Sequence, residues 1–305
     1  MRGPGEPQPG SGFRSGFVAV VGRPNTGKST LVNALVGQKV SIVTDKPQTT
    51  RGRIRGVLTT DEYQIVFTDT PGFHKPRTPL GERLNRMVEE STEGVDAVLL
   101  VVDAAGGVGR GDQFAAGQRV APVQAAKVCA VNKIDLVSKS DLIVQLERAA
   151  ALADFDHVVP VSARTGENLK ELRDVLVASI PEGMPLYEPG QVTDQPVEFR
   201  VADIVREKVL VLTREEVPHS VAVQVEEMER DEERDVLRIS CVILVERESQ
   251  KGIVIGRGGH MLKTVGIRAR EELELVLGSR VFLELRVKVL REWQRDPVAL
   301  TRLGF

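Results

Sequence analysis

Apolar runs recur through the first half of the chain, each closing on a polar or glycine-containing turn. They are FVAVVG from Phe17, YQIVFTD from Tyr63, DAVLLVVD from Asp96, AKVCAVNK from Ala126 and HVVPVSA from His157. Unbroken Val, Ile and Leu positions of this length suit strands buried on both faces of a sheet. Helical patterns separate several of them, notably KSTLVNALVG, DLIVQLERAAALA and NLKELRDVLVASI. This alternation predicts an α/β domain with a mostly parallel sheet and helices on both faces. Ligands of such sheets bind at the carboxyl ends of the strands, where the polar turns lie.

The pattern breaks at IPEGMPLYEPGQVTDQP, a Pro- and Gly-rich stretch without periodicity that marks a domain boundary. Beyond it come a helix from Val197, two strands (SVAVQVEEM and DVLRISCVILVE) and a short apolar stretch ending in a glycine loop. A longer helix follows, with Leu262, Val265, Ala269, Leu273 and Val276 on one stripe, and then the alternating strand VFLELRVKV. The order α-β-β-α-α-β predicts a smaller α+β domain. The acidic EEMERDEERD between its first two strands is expected to be a solvated hairpin turn. The expected division is a disordered tail over 1–14, a first domain over 15–180, a linker over 181–196 and a second domain over 197–305.

Composition changes this picture little. Of 305 residues, 41% are hydrophobic but only 4% aromatic, so aliphatic side chains must fill both cores. A net charge of −2 averages over local patches and selects no class of partner. Cys129 and Cys241 stand alone in apolar runs, as expected of reduced core thiols in a cytoplasmic protein. No apolar run reaches the roughly 18 residues of a membrane span, and the opening MRGPGEPQPGSG lacks the apolar core of a secretory signal.

Chemistry concentrates in the turns. GRPNTGKST fits G-x-x-x-x-G-K-[ST] directly after a strand and at a helix start, the context a phosphate-binding loop requires. Its glycines let successive N–H groups point at phosphate oxygens, aided by the helix N-terminus. The phosphate-binding set is Gly22, Asn25, Thr26, Gly27, Lys28, Ser29 and Thr30, with Lys28 reaching the β- and γ-phosphates and Ser29 a Mg²⁺ ion. A stray lysine in a glycine turn is the bland alternative, with a chance frequency on the order of one in a hundred for a chain this long. In TDTPG, Asp69 closes a strand as a Mg²⁺ ligand should, and the Gly72 N–H can bond the γ-phosphate.

NKID, Asn132 to Asp135, selects the base. The Asp135 carboxylate can accept from both the N1–H and the exocyclic amine of guanine; adenine offers no such pair of donors and would leave it unpaired. Asn132 would tie loops together, the Lys133 stem would cover the ring, and Ser162 and Ala163 of the SAR turn would complete a guanine site. GTP and GDP are the expected ligands. With KPQTTRGR between them, these motifs resemble the TRAFAC class of translation-factor-type GTPases. That resemblance implies that QTTR is the first switch region and that Thr50 reaches Mg²⁺ when GTP is bound. Read from residues alone, TTRGRIR is a basic loop or an exposed strand edge.

In the second domain, GIVIGRGGHMLKTVG contains G-x-x-G at Gly256, Arg257, Gly258 and Gly259. From Ser249 to Arg270 the Lys, Arg, Asp and Glu residues are Lys251, Arg257, Lys263, Arg268 and Arg270, without an acid. A helix-entry turn is the bland explanation. The basic surroundings and the element order instead resemble a type II KH module, which clamps single-stranded RNA at this loop.

The two halves together, with VGRPNTGKSTLVNAL near the start and REWQRDPVALTRLGF at the end, resemble the Era family of bacterial GTPases of small-ribosomal-subunit assembly. The resemblance implies binding of 16S ribosomal RNA near its 3′ end, peripheral association with the inner face of the membrane in some members, and a monomer. It also puts Phe73 where many GTPases carry a glutamine that orients the attacking water. A phenyl ring cannot do this, so slow intrinsic hydrolysis is expected. The subgroup with an apolar residue there includes members that use K⁺ held partly by an asparagine that Asn25 matches. Two other readings stay open: a GTP-gated RNA-binding module with negligible turnover, and a GTPase whose second domain docks protein or membrane.

Overall fold

The computed structural model describes residues 12–46, 49–52, 54–72, 78–213 and 217–303, and the chain divides into two compact units. The first comprises the chain up to Ser41, Thr50–Lys75 and Leu84–Asp194. Its elements are β1 (Arg14–Val21), α1 (Lys28–Val36), β2 (Ile54–Thr59), β3 (Tyr63–Asp69), the part of α2 (Pro79–Ser91) from Leu84 onward, β4 (Ala97–Asp103), α3 (Arg110–Arg119), β5 (Ala126–Asn132), α4 (Lys139–Ala150), β6 (His157–Pro160) and α5 (Leu169–Ser179). The sheet runs β2-β3-β1-β4-β5-β6, all parallel except β2, which pairs antiparallel with β3.

Every residue of β4 is buried, and alternate side chains enter different cores. Leu99 and Val101 pack with Leu31 and Leu35 of α1 and with Leu172 and Leu176 of α5. Val98, Leu100 and Val102 belong to the opposite core, with Val88 of α2, Ala115 and Ala116 of α3 and Ala149 of α4. This two-sided burial is why the strand reads as a continuous apolar run. The chain leaves β1 in one direction along the sheet and reaches β4 in the other, so the β1–β4 junction is the topological switch point where such sheets bind ligands.

Phe13 and Arg14, within the tail expected over 1–14, are part of the folded unit. Phe13 is buried and Arg14 opens β1, its Nη1 donating to the Ile180 carbonyl at 2.5 Å; residues 1–11 lie outside the described residues. At the other edge, the stretch read as a linker lies along β2 and β3. The Val57 N–H donates to the Val192 carbonyl at 2.8 Å. Buried Gln64 accepts from the N–H groups of Leu186 and Tyr187 at 2.6 and 2.9 Å. Arg55 donates to Asp194 at 2.8 Å and to the Tyr187 hydroxyl at 3.1 Å. The edge strand is thereby covered rather than left to pair with another chain.

The second unit comprises Ile42–Thr49, Pro76–Arg83 and Gln195–Phe305. It contains α6 (Val197–Leu212), α7 (Val217–Ser220), β7 (Ala222–Asp231), β8 (Val236–Val245), α8 (Glu248–Ile255), α9 (His260–Leu277), β9 (Val281–Val289) and α10 (Pro297–Arg302). The sheet runs β7-β8-β9, antiparallel then parallel. Val201, Val205 and Val209 of α6 meet Ile239, Cys241 and Ile243 of β8 and Val265, Ala269 and Leu273 of α9 in one core. Leu262 and Val276, the ends of the predicted stripe, pack against its rim.

The acidic stretch is mostly strand. β7 extends to Asp231, and the hairpin closes with Arg238 donating to Asp231 at 3.0 Å and Arg230 to Asp235 at 2.5 Å. Trp293 is fully buried and donates from Nε1 to the Ser220 carbonyl at 2.9 Å. Cys129 and Cys241 are buried free thiols, each pushed up to about 12 by burial.

Candidate functional site

The loop after β1 is shaped by close approaches that exclude side chains. A Cβ on Gly22 would sit 2.4 Å from the Val101 carbonyl oxygen of β4, and one on Gly27 2.4 Å from Asn132 Nδ2. Gly27 also holds φ at 92° and Asn25 at 65°, which turns the backbone into the N-terminus of α1. Arg23 fastens the loop from outside: its Nε lies 3.1 Å from both oxygens of Asp112 on α3, a carboxylate whose side chain is 1% exposed. Lys28 is buried in the curl and donates to the carbonyls of Gly22 and Arg23 at 3.1 and 3.0 Å. Burial lowers its ammonium to about 8, against the attraction of Asp69.

Three hard oxygen donors converge beneath this loop. Ser29 Oγ lies 3.0 Å from Thr50 Oγ1, and Thr50 Oγ1 lies 3.5 Å from Asp69 Oδ2. Asp69 is fully buried, and its Oδ1 has no hydrogen-bond partner among the described residues. Burial pushes its carboxyl above the usual range, opposed by the hydrogen bond from Ser29 and the charge of Lys28. A carboxylate with an orphaned buried oxygen, beside two hydroxyls, is a donor set that suits Mg²⁺. Gly72 lies against Pro24 of the loop, where an added Cβ would meet the Pro24 backbone at 2.8 Å. Phe73 lies outside the described residues.

The NKID and SAR turns meet the same loop. Asn132 donates from Nδ2 to the Thr26 carbonyl at 2.9 Å and accepts the Ala163 N–H at Oδ1 at 3.0 Å, tying three loops together. The Ala163 N–H, which the sequence offers to a guanine oxygen, therefore has a protein acceptor here. Lys133 donates to the Asn25 carbonyl and to Asp103 Oδ2, both at 2.7 Å. Asp135 accepts from Ser162 Oγ at 2.5 Å on one oxygen and from Arg164 Nη2 at 2.6 Å on the other. These two hydrogen bonds, Ser162 first, hold its carboxyl below the usual range. Arg23, Asp112, Asp103 and Arg164 were not singled out in the sequence. Only Arg164 has a local signal, its place directly after the SA pair.

In the second unit, the G-x-x-G turn joins α8 to α9. A Cβ on Gly256 would collide with the Met261 Cβ at 2.6 Å, so the chain can turn into α9 only through glycine. Arg257, Lys263, Arg268 and Arg270 are exposed and Lys251 is half-buried. Lys263 and Arg270 line a cavity of about 480 Å³ with Gly259, bounded by α9 and β9. Segment Ile42–Thr49 is held within this unit by two buried residues of α6: Glu207 Oε1 accepts the Val43 N–H at 2.8 Å, and Arg206 Nη2 donates to the Thr49 carbonyl at 2.6 Å.

Comparison with known proteins agrees with both halves. A family model described as a 50S ribosome-binding GTPase matches residues 17–133, and a KH domain model matches residues 216–294. The chain is similar to Era crystallised with MgGDPNP and nucleotides 1506–1542 of 16S ribosomal RNA, at 40% identity and a TM-score of 0.92. That match covers 96% of this chain and 99% of the other. Aquifex aeolicus Era, as a variant bound to GDP·AlF4⁻, matches with the same identity, coverage and TM-score. The fold is a P-loop GTPase domain with a mostly parallel sheet, followed by a C-terminal KH domain.

Proposed function

The chain belongs to the Era family, and on that footing we propose that it is a GTP-hydrolysing, RNA-binding switch in assembly of the small ribosomal subunit. Its GTPase domain spans 15–180, and residues 181–196 connect it to a KH domain over 197–305. The observation that carries the nucleotide half is the convergence of Ser29, Thr50 and Asp69 beside the buried Lys28.

Lys28 turns from the Gly22 and Arg23 carbonyls to the β- and γ-phosphates, while the N–H groups from Asn25 to Thr30 and that of Gly72 surround the phosphate oxygens. Ser29, Thr50 and Asp69 would hold Mg²⁺, which would supply positive charge against the developing phosphate charge. Asp135, kept ionised by Ser162 and Arg164, accepts from the guanine N1–H and amine. Asn132 fixes the distance between this reading edge and the phosphate loop, and the Lys133 stem covers the ring.

Phe73 offers no group to orient water, so the intrinsic rate is slow and rises when RNA is bound. Asn25 is the K⁺ ligand; equal hydrolysis rates in K⁺ and Na⁺ buffers would remove that ion from the account.

Gly256, Arg257, Gly258 and Gly259, with Lys251, Lys263, Arg268 and Arg270, bind single-stranded RNA by close backbone approach and phosphate attraction. The partner is 16S ribosomal RNA near its 3′ end, the RNA present in the Era complex. No helix among the described residues is long and apolar enough to cross a membrane. The inner-face contact implied by the family is peripheral, and vesicle flotation tests it. The chain acts as a monomer in the cytoplasm, which light scattering would read as a mass near 33.4 kDa. Crosslinking to total RNA in GTP- and GDP-loaded states tests the whole reading: recovery of 16S RNA that depends on the nucleotide supports it, and state-independent recovery of bulk RNA contradicts it.

A further inference from the structure

Lys133 occupies a costly backbone position for a lysine. Its φ is 67°, in the left-handed region that glycine or asparagine enters more cheaply. What the position retains is the side chain. The ammonium is held at two points, by the Asn25 carbonyl and by Asp103 Oδ2, each at 2.7 Å. The first is a main-chain oxygen of the phosphate loop. The second is a carboxylate that belongs to none of the phosphate, metal or base contacts of the proposed site.

Asp103 closes β4, and the register of β4 with β5 sets it opposite Asn132, one residue before Lys133. It is buried, and its two oxygens have different tasks. Oδ1 accepts the Gly106 N–H at 2.9 Å and shapes the turn after β4, a task an asparagine performs as well. Oδ2 meets the Lys133 ammonium, and there the negative charge matters, because a charge-assisted hydrogen bond is the stronger kind. Gly106 keeps this arrangement open. A Cβ there would lie 2.8 Å from Arg23 Nη2 and 3.1 Å from Asp103 Oδ2, although its φ is not positive. Glycine is therefore needed for the packing of these two charged groups, not for the turn of the backbone. Arg23 is itself committed to Asp112 and to the Gly107 carbonyl, which leaves the Asp103 carboxylate to Lys133.

We infer that Asp103 is a positioning residue for the guanine ring: by taking the Lys133 ammonium it stretches the lysine stem across the place of the base and holds it there. A lysine stem is a flexible chain whose ordering costs rotamer entropy. Anchored at its tip before the nucleotide arrives, it covers the ring without that cost. The inference rests on the guanine-site reading and adds to it a carboxylate outside the NKID and SAR turns.

The test uses the full chain and two probes, GDP and inorganic pyrophosphate, the second having phosphates but no base. Each is measured by competition against fluorescent GDP. Asp103→Asn keeps an acceptor for Gly106 and removes the charge facing Lys133. It should weaken GDP about tenfold and leave pyrophosphate unchanged, a split that a general loosening of the fold does not produce. Lys133→Met, which keeps an apolar stem without its charged tip, should lose at least as much for GDP. Adding Asp103→Asn to Lys133→Met should then cost nothing further, because the carboxylate acts through that ammonium. Equal losses for GDP and pyrophosphate would place the effect on the phosphate loop and overturn the inference. So would an Asp103→Asn loss that persists in the Lys133→Met background, or GDP affinity unchanged by Asp103→Asn. If the unmutated chain bound pyrophosphate as tightly as GDP, the guanine-site reading beneath the inference would itself fail.

Discussion

Ser29 Oγ and Thr50 Oγ1 lie 3.0 Å apart, joining the start of α1 to the segment that leads into β2. Thr50 also reaches Asp69 Oδ2 at 3.5 Å, so one hydroxyl connects the other two oxygen donors. A threonine that arrives by a loop can be withdrawn by that loop, which is how a γ-phosphate can be sensed. Thr50→Ala is expected to weaken a GTP analogue about tenfold in Mg²⁺ while leaving GDP affinity unchanged. Calorimetric titration with both nucleotides checks this.

Base choice is expected to rest on the Asp135 carboxylate. Asp135→Asn replaces an acceptor with a donor opposite the guanine amine, and GDP affinity should fall by about 100-fold. Xanthosine diphosphate, with an oxygen in place of that amine, should gain affinity for the same variant. Unchanged base preference would show that another group reads guanine.

The proton on Lys28 gives nucleotide binding a pH dependence of fixed sign. Burial lowers its ammonium to about 8 in the free site, and bound phosphate raises it again. Above pH 8 the free site has lost a proton that the complex retains, so binding takes up that proton. GDP affinity should be level below about pH 8 and weaken above it by up to about tenfold per pH unit. Fluorescent-GDP titrations across this range should show the inflection, and Lys28→Ala should remove it along with most of the affinity.

Arg23 is expected to matter through the loop it anchors. Arg23→Met leaves Asp112, a nearly fully buried carboxylate, without its guanidinium. The cost should be about 2 kcal/mol, seen as a fall of roughly 6 °C in the transition of the first unit. GDP binding should weaken with it, because Arg23 ties the loop to Asp112 and its own carbonyl accepts from Lys28.

The parts legible in the sequence were those whose signal is local. The phosphate loop and NKID each pack their chemistry into a few consecutive residues after an apolar run, and the buried strands announced themselves by unbroken Val and Leu. Thr50 came from family resemblance alone. β2 reads only as a basic loop or strand edge, because IRGVLT is short, carries a glycine and pairs antiparallel at the margin of the sheet. α3 carries no clear helical pattern, since RGDQFAAGQR holds two glycines and few large apolar residues. The Arg23–Asp112 pair and the hold of Arg206 and Glu207 on Ile42–Thr49 join residues far apart in sequence, so no periodicity marks them. The linker reads as irregular because several of its hydrogen bonds go to Gln64, Val57 and Arg55, far away in sequence.

GTP hydrolysis at the Ser29–Thr50–Asp69 site is expected to be slow alone and to answer to RNA held by the second domain. Single-turnover phosphate release, with and without a 3′-terminal 16S ribosomal RNA fragment, measures it directly. The expected result is a rate that rises with RNA and returns to the basal value in Gly258→Asp. A rate indifferent to RNA, or RNA stimulation that survives Gly258→Asp, would contradict the account.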